Sequence, residues 1–100
     1  MLNYIKDSKM RSALKGASMT MEPVFSIGKS SLTPEFVEAV REYIVKNELV
    51  KINVLKNCDD DPKEIAYTLA ERSTSAVVQV IGRKIILYKP AKDVKDRRYE

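Results

Sequence analysis

The residues best suited to hold a ligand are Gly28-Lys29-Ser30-Ser31, a short loop between an apolar run and Thr33-Pro34. Lysine supplies a mobile positive charge and the two serines supply hydroxyl donors. The helix expected to open at Thr33-Pro34 adds unpaired amides and the positive end of its dipole. Together these groups fit an anion, above all a phosphate. The same four residues also make an ordinary strand-to-helix turn, with glycine at a position of positive φ. A second basic pair, Arg83-Lys84, stands at a hairpin tip, and Lys9, Arg11 and Lys15 recur near the N-terminus. Singly, each reads as a solvated surface charge.

Other chemistries find little support. The chain has no histidine, which removes the commonest general base and the commonest metal ligand. Cys58 is its sole cysteine, so neither an internal disulfide nor a cysteine zinc site is expected. Gly28-Lys29 lacks the spacing of a phosphate-binding P-loop, in which Gly-Lys comes after a longer glycine-rich run. Asp59-Asp60-Asp61 lacks the alternation and terminal glutamate of a calcium loop, and one of the three is expected to cap a helix. No paired carboxylates suggest acid–base catalysis, and no glycine-and-aromatic strand signature suggests base stacking on a sheet. The expectation is a non-catalytic protein with no metal, no cofactor and no small-molecule substrate.

The elements that must position these residues follow from apolar spacing. Met10, Ala13, Leu14 and Ala17 share one helical face, with Arg11 and Lys15 opposite, which predicts a helix over about 7–17. "PVFSIG" predicts a short strand. Thr33, Pro34 and Glu35 are strong start signals for a second helix, whose buried stripe is Phe36, Val37, Val40, Tyr43 and Ile44. Val50, Ile52 and Val54 alternate as in a strand. Asp61-Pro62-Lys63-Glu64 opens a third helix with Ile65, Ala66, Leu69 and Ala70 inside. "AVVQVI" and "KIILYK" form a hairpin about Gly82-Arg83, a type II′ turn with glycine first.

The order α-β-α-β-α-β-β defines one α/β sandwich with a four-stranded mixed sheet over residues 1–90, followed by a charged, flexible tail over 91–100. If each helix returns the chain, the first three strands run the same way. The connections Gly28–Ser31, Asn57–Asp61 and Gly82-Arg83 then gather at one end, where open α/β sheets usually bind ligands. A first helix antiparallel to the first strand would bring Lys6, Lys9 and Arg11 there too. One hundred residues with 18 Lys and Arg against 14 Asp and Glu carry a net charge of +4, which favours polyanions only modestly. No apolar run approaches the length of a membrane span and no signal peptide is visible, so a cytoplasmic monomer without membrane association is expected.

The segments "KMRSALKGA", "PVFSIGKSSL", "VLKNCDDDPKEIA" and "VVQVIGRKIILYKP", in this order, closely resemble the YhbY-type CRM domain (chloroplast RNA splicing and ribosome maturation). The resemblance spans residues 7–90, and Gly82-Arg83-Lys84 is its most specific block. It implies a four-stranded sheet packed with helices, similar to the C-terminal domain of bacterial translation initiation factor three, and RNA binding without catalysis. It also implies association with precursors of the large ribosomal subunit for stand-alone bacterial members, and with intron splicing for plant members. The family's loop is Gly-x-x-Gly, commonly Gly-Lys-Gly-Gly, similar to the loop by which KH domains clamp a nucleic-acid backbone. Gly28 and Lys29 match it, whereas Ser30 and Ser31 replace glycines. The resulting RNA-binding set is Lys9, Arg11, Lys15, Gly28, Lys29, Ser30, Ser31, Arg83 and Lys84, with ribosomal RNA as the expected partner. The alternative is a module that docks on ribosomal or assembly proteins.

Overall fold

The computed structural model describes residues 4–99; residues 1–3 of the expected domain and Glu100 of the expected tail lie outside the described residues. The elements are α1 (Ser8–Met19), β1 (Phe25–Ile27), α2 (Pro34–Asn47), β2 (Leu49–Val54), α3 (Pro62–Ser73), β3 (Ala76–Ile81), β4 (Lys84–Tyr88) and a short 3₁₀ turn, Val94–Asp96. The sheet order is β1-β2-β4-β3. β1 is parallel to β2, and β4 is antiparallel to both β2 and β3, so the first three strands do share a direction. The α/β sandwich with a mixed four-stranded sheet is therefore the observed fold.

Helix starts follow the capping residues. The Asp7 carboxylate accepts from the Met10 amide, the Thr33 hydroxyl from the Phe36 amide, and the Asp61 carboxylate from the Lys63 amide. Each removes one orphan donor from a first turn. The side chains of β2 alternate between two cores. Val50, Ile52 and Val54 pack with Val40 and Ile44 of α2 and Ile65, Ala66 and Leu69 of α3 on one face. Phe25 meets Phe36 and Tyr43 edge-to-face, both at 5.6 Å, which sets α2 against β1. On the other face Leu49, Val78, Ile86 and Tyr88 pack around Leu14 of α1. All the apolar stripes expected for α2 and α3 are buried or partly buried as read from spacing.

α1 departs from expectation in two ways. Its inward face holds Met10, Leu14, Ala17 and Ser18, with Arg11 half-buried, while Ala13 is exposed. Nor does the helix follow β1. The Arg11 guanidinium reaches the carbonyls of Val77 and Val78 on β3, and the Lys51 ammonium on β2 reaches those of Ser18 and Met21. The helix therefore crosses the sheet from the β3 edge to β2.

The tail makes contacts with the body of the domain. Glu48 ends α2 with φ 64° and is 1% exposed. Its carboxylate accepts from the Arg98 amide at 2.8 Å and the Ala91 amide at 3.4 Å. Its carbonyl accepts from the Lys89 amide, and Tyr99 packs edge-to-face on Tyr88. The tail is poor in apolar residues, but a buried acceptor in the body satisfies its backbone.

Candidate nucleic-acid interface

The end of the sheet where β1, β2 and β3 finish carries three connections in mutual contact. The Leu55 amide donates to Ile27 O at 2.8 Å, joining the exit of β2 to the exit of β1. A Cβ built on Gly28 would stand 3.6 Å from Asn57 Oδ1 and 3.7 Å from Leu55 Cδ1, so the two loops lie side by side. The hairpin is tied in by Arg83. Its Nε donates to Val54 O at 3.0 Å, and one terminal nitrogen donates to Leu55 O at 2.7 Å and Cys58 O at 3.3 Å. The Arg83 carbonyl in turn accepts from the Val54 amide. The hairpin has the expected form: Ile81 pairs Lys84 across two residues, with Gly82 at φ 56° and Arg83 not positive.

Gly28–Ser31 is a hydrogen-bonded turn, with the Ser31 amide donating to Gly28 O at 3.0 Å. The left-handed residue is Ser31, at φ 52°, and not Gly28 as a simple turn would have it. Ser31 stands where the resemblance implies the loop's second glycine, and it takes the left-handed conformation despite its Cβ. Lys29 and Ser30 are exposed at the tip. A shallow groove of about 300 Å³ beside the turn is lined by Ser31, Asp60, Glu64 and Arg72, so carboxylates flank the turn on its α3 side.

The structure brings together Gly28, Lys29, Ser30, Ser31, Arg83 and Lys84 of the expected set. It does not make them equivalent. Arg83 is half-buried with its donors on three carbonyls, and so organises the loops from inside. Lys84 donates to Asn53 Oδ1 at 2.6 Å. Arg11 is the other departure from a solvated cation, since it is bound to the carbonyls of β3. Lys9 and Lys15 are exposed on α1. Sequence reasoning missed Asn53, which lies on β2 beneath the loops; its alternation with buried Ile52 and Val54 was the only available signal for it. A larger groove, about 690 Å³, runs along β3 between Arg11 and the α3 residues Lys63, Tyr67 and Glu71. Among the described residues no group of three or more acidic, cysteine or histidine side chains could hold a metal ion, and no helix is long and apolar enough to cross a membrane.

A small mixed sheet with helices on both faces and basic loops at one end defines the class. The solution structure of a Staphylococcus aureus protein superposes with a TM-score of 0.75 at 34% identity, covering 92% of this chain and 96% of that one. Residues 7–89 match the CRS1 / YhbY (CRM) domain, and the chain belongs to that family. Among its relatives, the Bacillus subtilis "Probable RNA-binding protein YqeI" is 33% identical over 87% of this chain and 91% of its own length. A Haemophilus influenzae "RNA-binding protein" is 29% identical over 88% and 89%.

Proposed function

We propose that this protein binds RNA through the loop end of its sheet, without catalysing a reaction on it, and that the RNA is ribosomal RNA in large-subunit precursors. The observation that carries RNA binding is the convergence of Gly28–Ser31, the β2–α3 loop and the Arg83-Lys84 hairpin in a family whose relatives are named for RNA. Lys29 is the exposed cation at the tip, and Lys84 stands at the start of β4, on the far side of β2 from β1. The Ser31 amide is engaged inside the turn, so a phosphate would meet the Lys29 ammonium and the serine hydroxyls. Lys9 and Lys15 are exposed on α1, and their part in RNA binding rests on what the family resemblance implies. The ribosomal partner rests on what the family resemblance implies; the cytoplasmic, monomeric state is part of the proposal and rests on the sequence reading alone.

Docking on a protein is the weaker reading. The exposed large apolar side chains Met19, Val24, Val45, Leu55, Tyr67, Ile81 and Val94 come from seven different segments of the chain, not from the face of one element. Strand addition at β3 meets Arg11, which occupies the carbonyls of Val77 and Val78.

Lys29→Glu tests the RNA reading, because Lys29 is exposed and its replacement leaves the Arg83 tie intact. Affinity for structured RNA should fall, and the log–log salt slope should flatten by about 0.7 to 0.9, the contribution of one phosphate contact. Unchanged affinity and slope would remove the loop from the interface. Crosslinking in cells followed by sequencing of the bound RNA tests the ribosomal partner; recovery of RNA other than large-subunit precursor would refute it.

A further inference from the structure

The four strands place one residue each on a row at the loop end of the α1 face. Ser26 of β1 is paired with Asn53 of β2, Asn53 with Lys84 of β4, and Lys84 with Ile81 of β3. Their sequence neighbours Phe25, Ile27, Val54, Ile85 and Val80 all pack into the opposite core, so these four side chains share the other face. α1 does not cover them: its core partners Leu49, Val78, Ile86 and Tyr88 lie further down the strands. Ser26 and Ile81 are exposed, and Asn53 and Lys84 are half-buried. With neighbouring strands about 4.8 Å apart, the row is roughly 14 Å wide.

Its chemistry is directional. A lysine ammonium only donates, so the 2.6 Å contact from Lys84 Nζ holds the carbonyl oxygen of Asn53. The Asn53 amide nitrogen is thereby turned away from Lys84, with two protons to donate. The Ser26 hydroxyl stands on the adjacent strand, and no residue of the row is acidic. A polyanion suits this charge, and the row lies directly beneath Gly28–Ser31 and Arg83. Phosphate contacts position a nucleic acid but carry little sequence information, which must come from donors and acceptors aimed at base edges.

We propose that this row reads the bases of unpaired RNA nucleotides whose backbone is held by the loops. Asn53 Nδ2 and the Ser26 hydroxyl donate to acceptor atoms on a base edge, and Ile81 offers an apolar surface to a base face. Lys84 acts as a positioning residue that fixes the Asn53 amide. The inference rests on the RNA reading above and adds to it the part of the surface that gives base preference.

The test measures binding of the full chain to short homopolymers of uridylate, cytidylate and adenylate at several salt concentrations. Asn53→Ala should lower affinity for the preferred homopolymer about fivefold or more, the scale of losing a good base contact, while the salt slope stays as in the wild type. Asn53→Asp replaces the donors by an acceptor and should move preference towards bases whose exposed edge donates, cytosine or adenine. Ser26→Ala, at an exposed position, gives a smaller loss in the same direction and covers the case in which changes at Asn53 disturb the sheet. Wild-type affinities for all three homopolymers in both Asn53→Ala and Ser26→Ala would overturn base reading while leaving the RNA interface standing. Absence of any RNA binding by the wild-type chain would overturn both.

Discussion

Ser31 shows how one side chain can keep a backbone shape at a cost. A non-glycine residue in the left-handed region is about 1 kcal/mol less favourable than glycine, because Cβ crowds the following carbonyl. Ser31 accepts that cost at φ 52° while closing the turn on Gly28 O. Ser31→Gly should raise unfolding free energy by up to about 1 kcal/mol, less the entropy gained by the unfolded chain. Thermal unfolding would check it; a lowered midpoint would mean that the serine side chain stabilises the loop in a way that outweighs its strain. Arg83 makes a second residue-scale point. Its charge identified it as a phosphate ligand in the sequence, yet its guanidinium meets carbonyls of Val54, Leu55 and Cys58, 25 to 29 positions away. A fork of donors serves backbone oxygens as readily as phosphate oxygens, and only the fold decides which it finds.

At the scale of elements, caps and apolar spacing were legible because they are local. Thr33-Pro34 and Asp61-Pro62 start helices where read, and the stripes of α2 and α3 are buried. The crossing of α1 was not legible. An amphipathic stripe shows which face turns inward but not the angle at which it lies on a sheet, and the determinants are distant pairs. Arg11 finds β3 carbonyls 66 and 67 residues later, beside the register shift between Val77 and Gln79. Lys51 caps the C-terminal end of α1, where a cation suits the dipole. Both ends are thus fixed by cations that a sequence presents as surface charge. Arg11→Ala should cost about 1.5–3 kcal/mol, the value of hydrogen bonds to a charged donor, and towards the lower end because water can reach an edge strand. It should also expose the β3 edge and promote concentration-dependent association, visible by sedimentation. A fully stable, monomeric variant would show that α1 is held by its apolar contacts alone.

Across the whole molecule, the sheet separates two poles. One pole gathers the loops of the candidate interface; the other gathers the end of α2, the start of β2, the end of β4 and the tail, with Glu48 at their junction. Burying a carboxylate is costly unless its oxygens are satisfied, and here backbone amides of the tail supply that satisfaction. The anchoring is mutual, because the same bonds tie Ala91 and Arg98 to the C-terminal end of α2. Glu48→Ala should remove both acceptors and lower stability by about 1.5–3 kcal/mol. Glu48→Gln keeps one carbonyl oxygen and should fall between the two. Hydrogen exchange at Ala91 and Arg98 distinguishes a released tail from general loosening: both amides should exchange much faster in Glu48→Ala, while those of β2 and β4 change only as far as global stability does. Equal protection in wild type and variant would mean that Tyr99 on Tyr88, rather than the buried carboxylate, holds the tail in place.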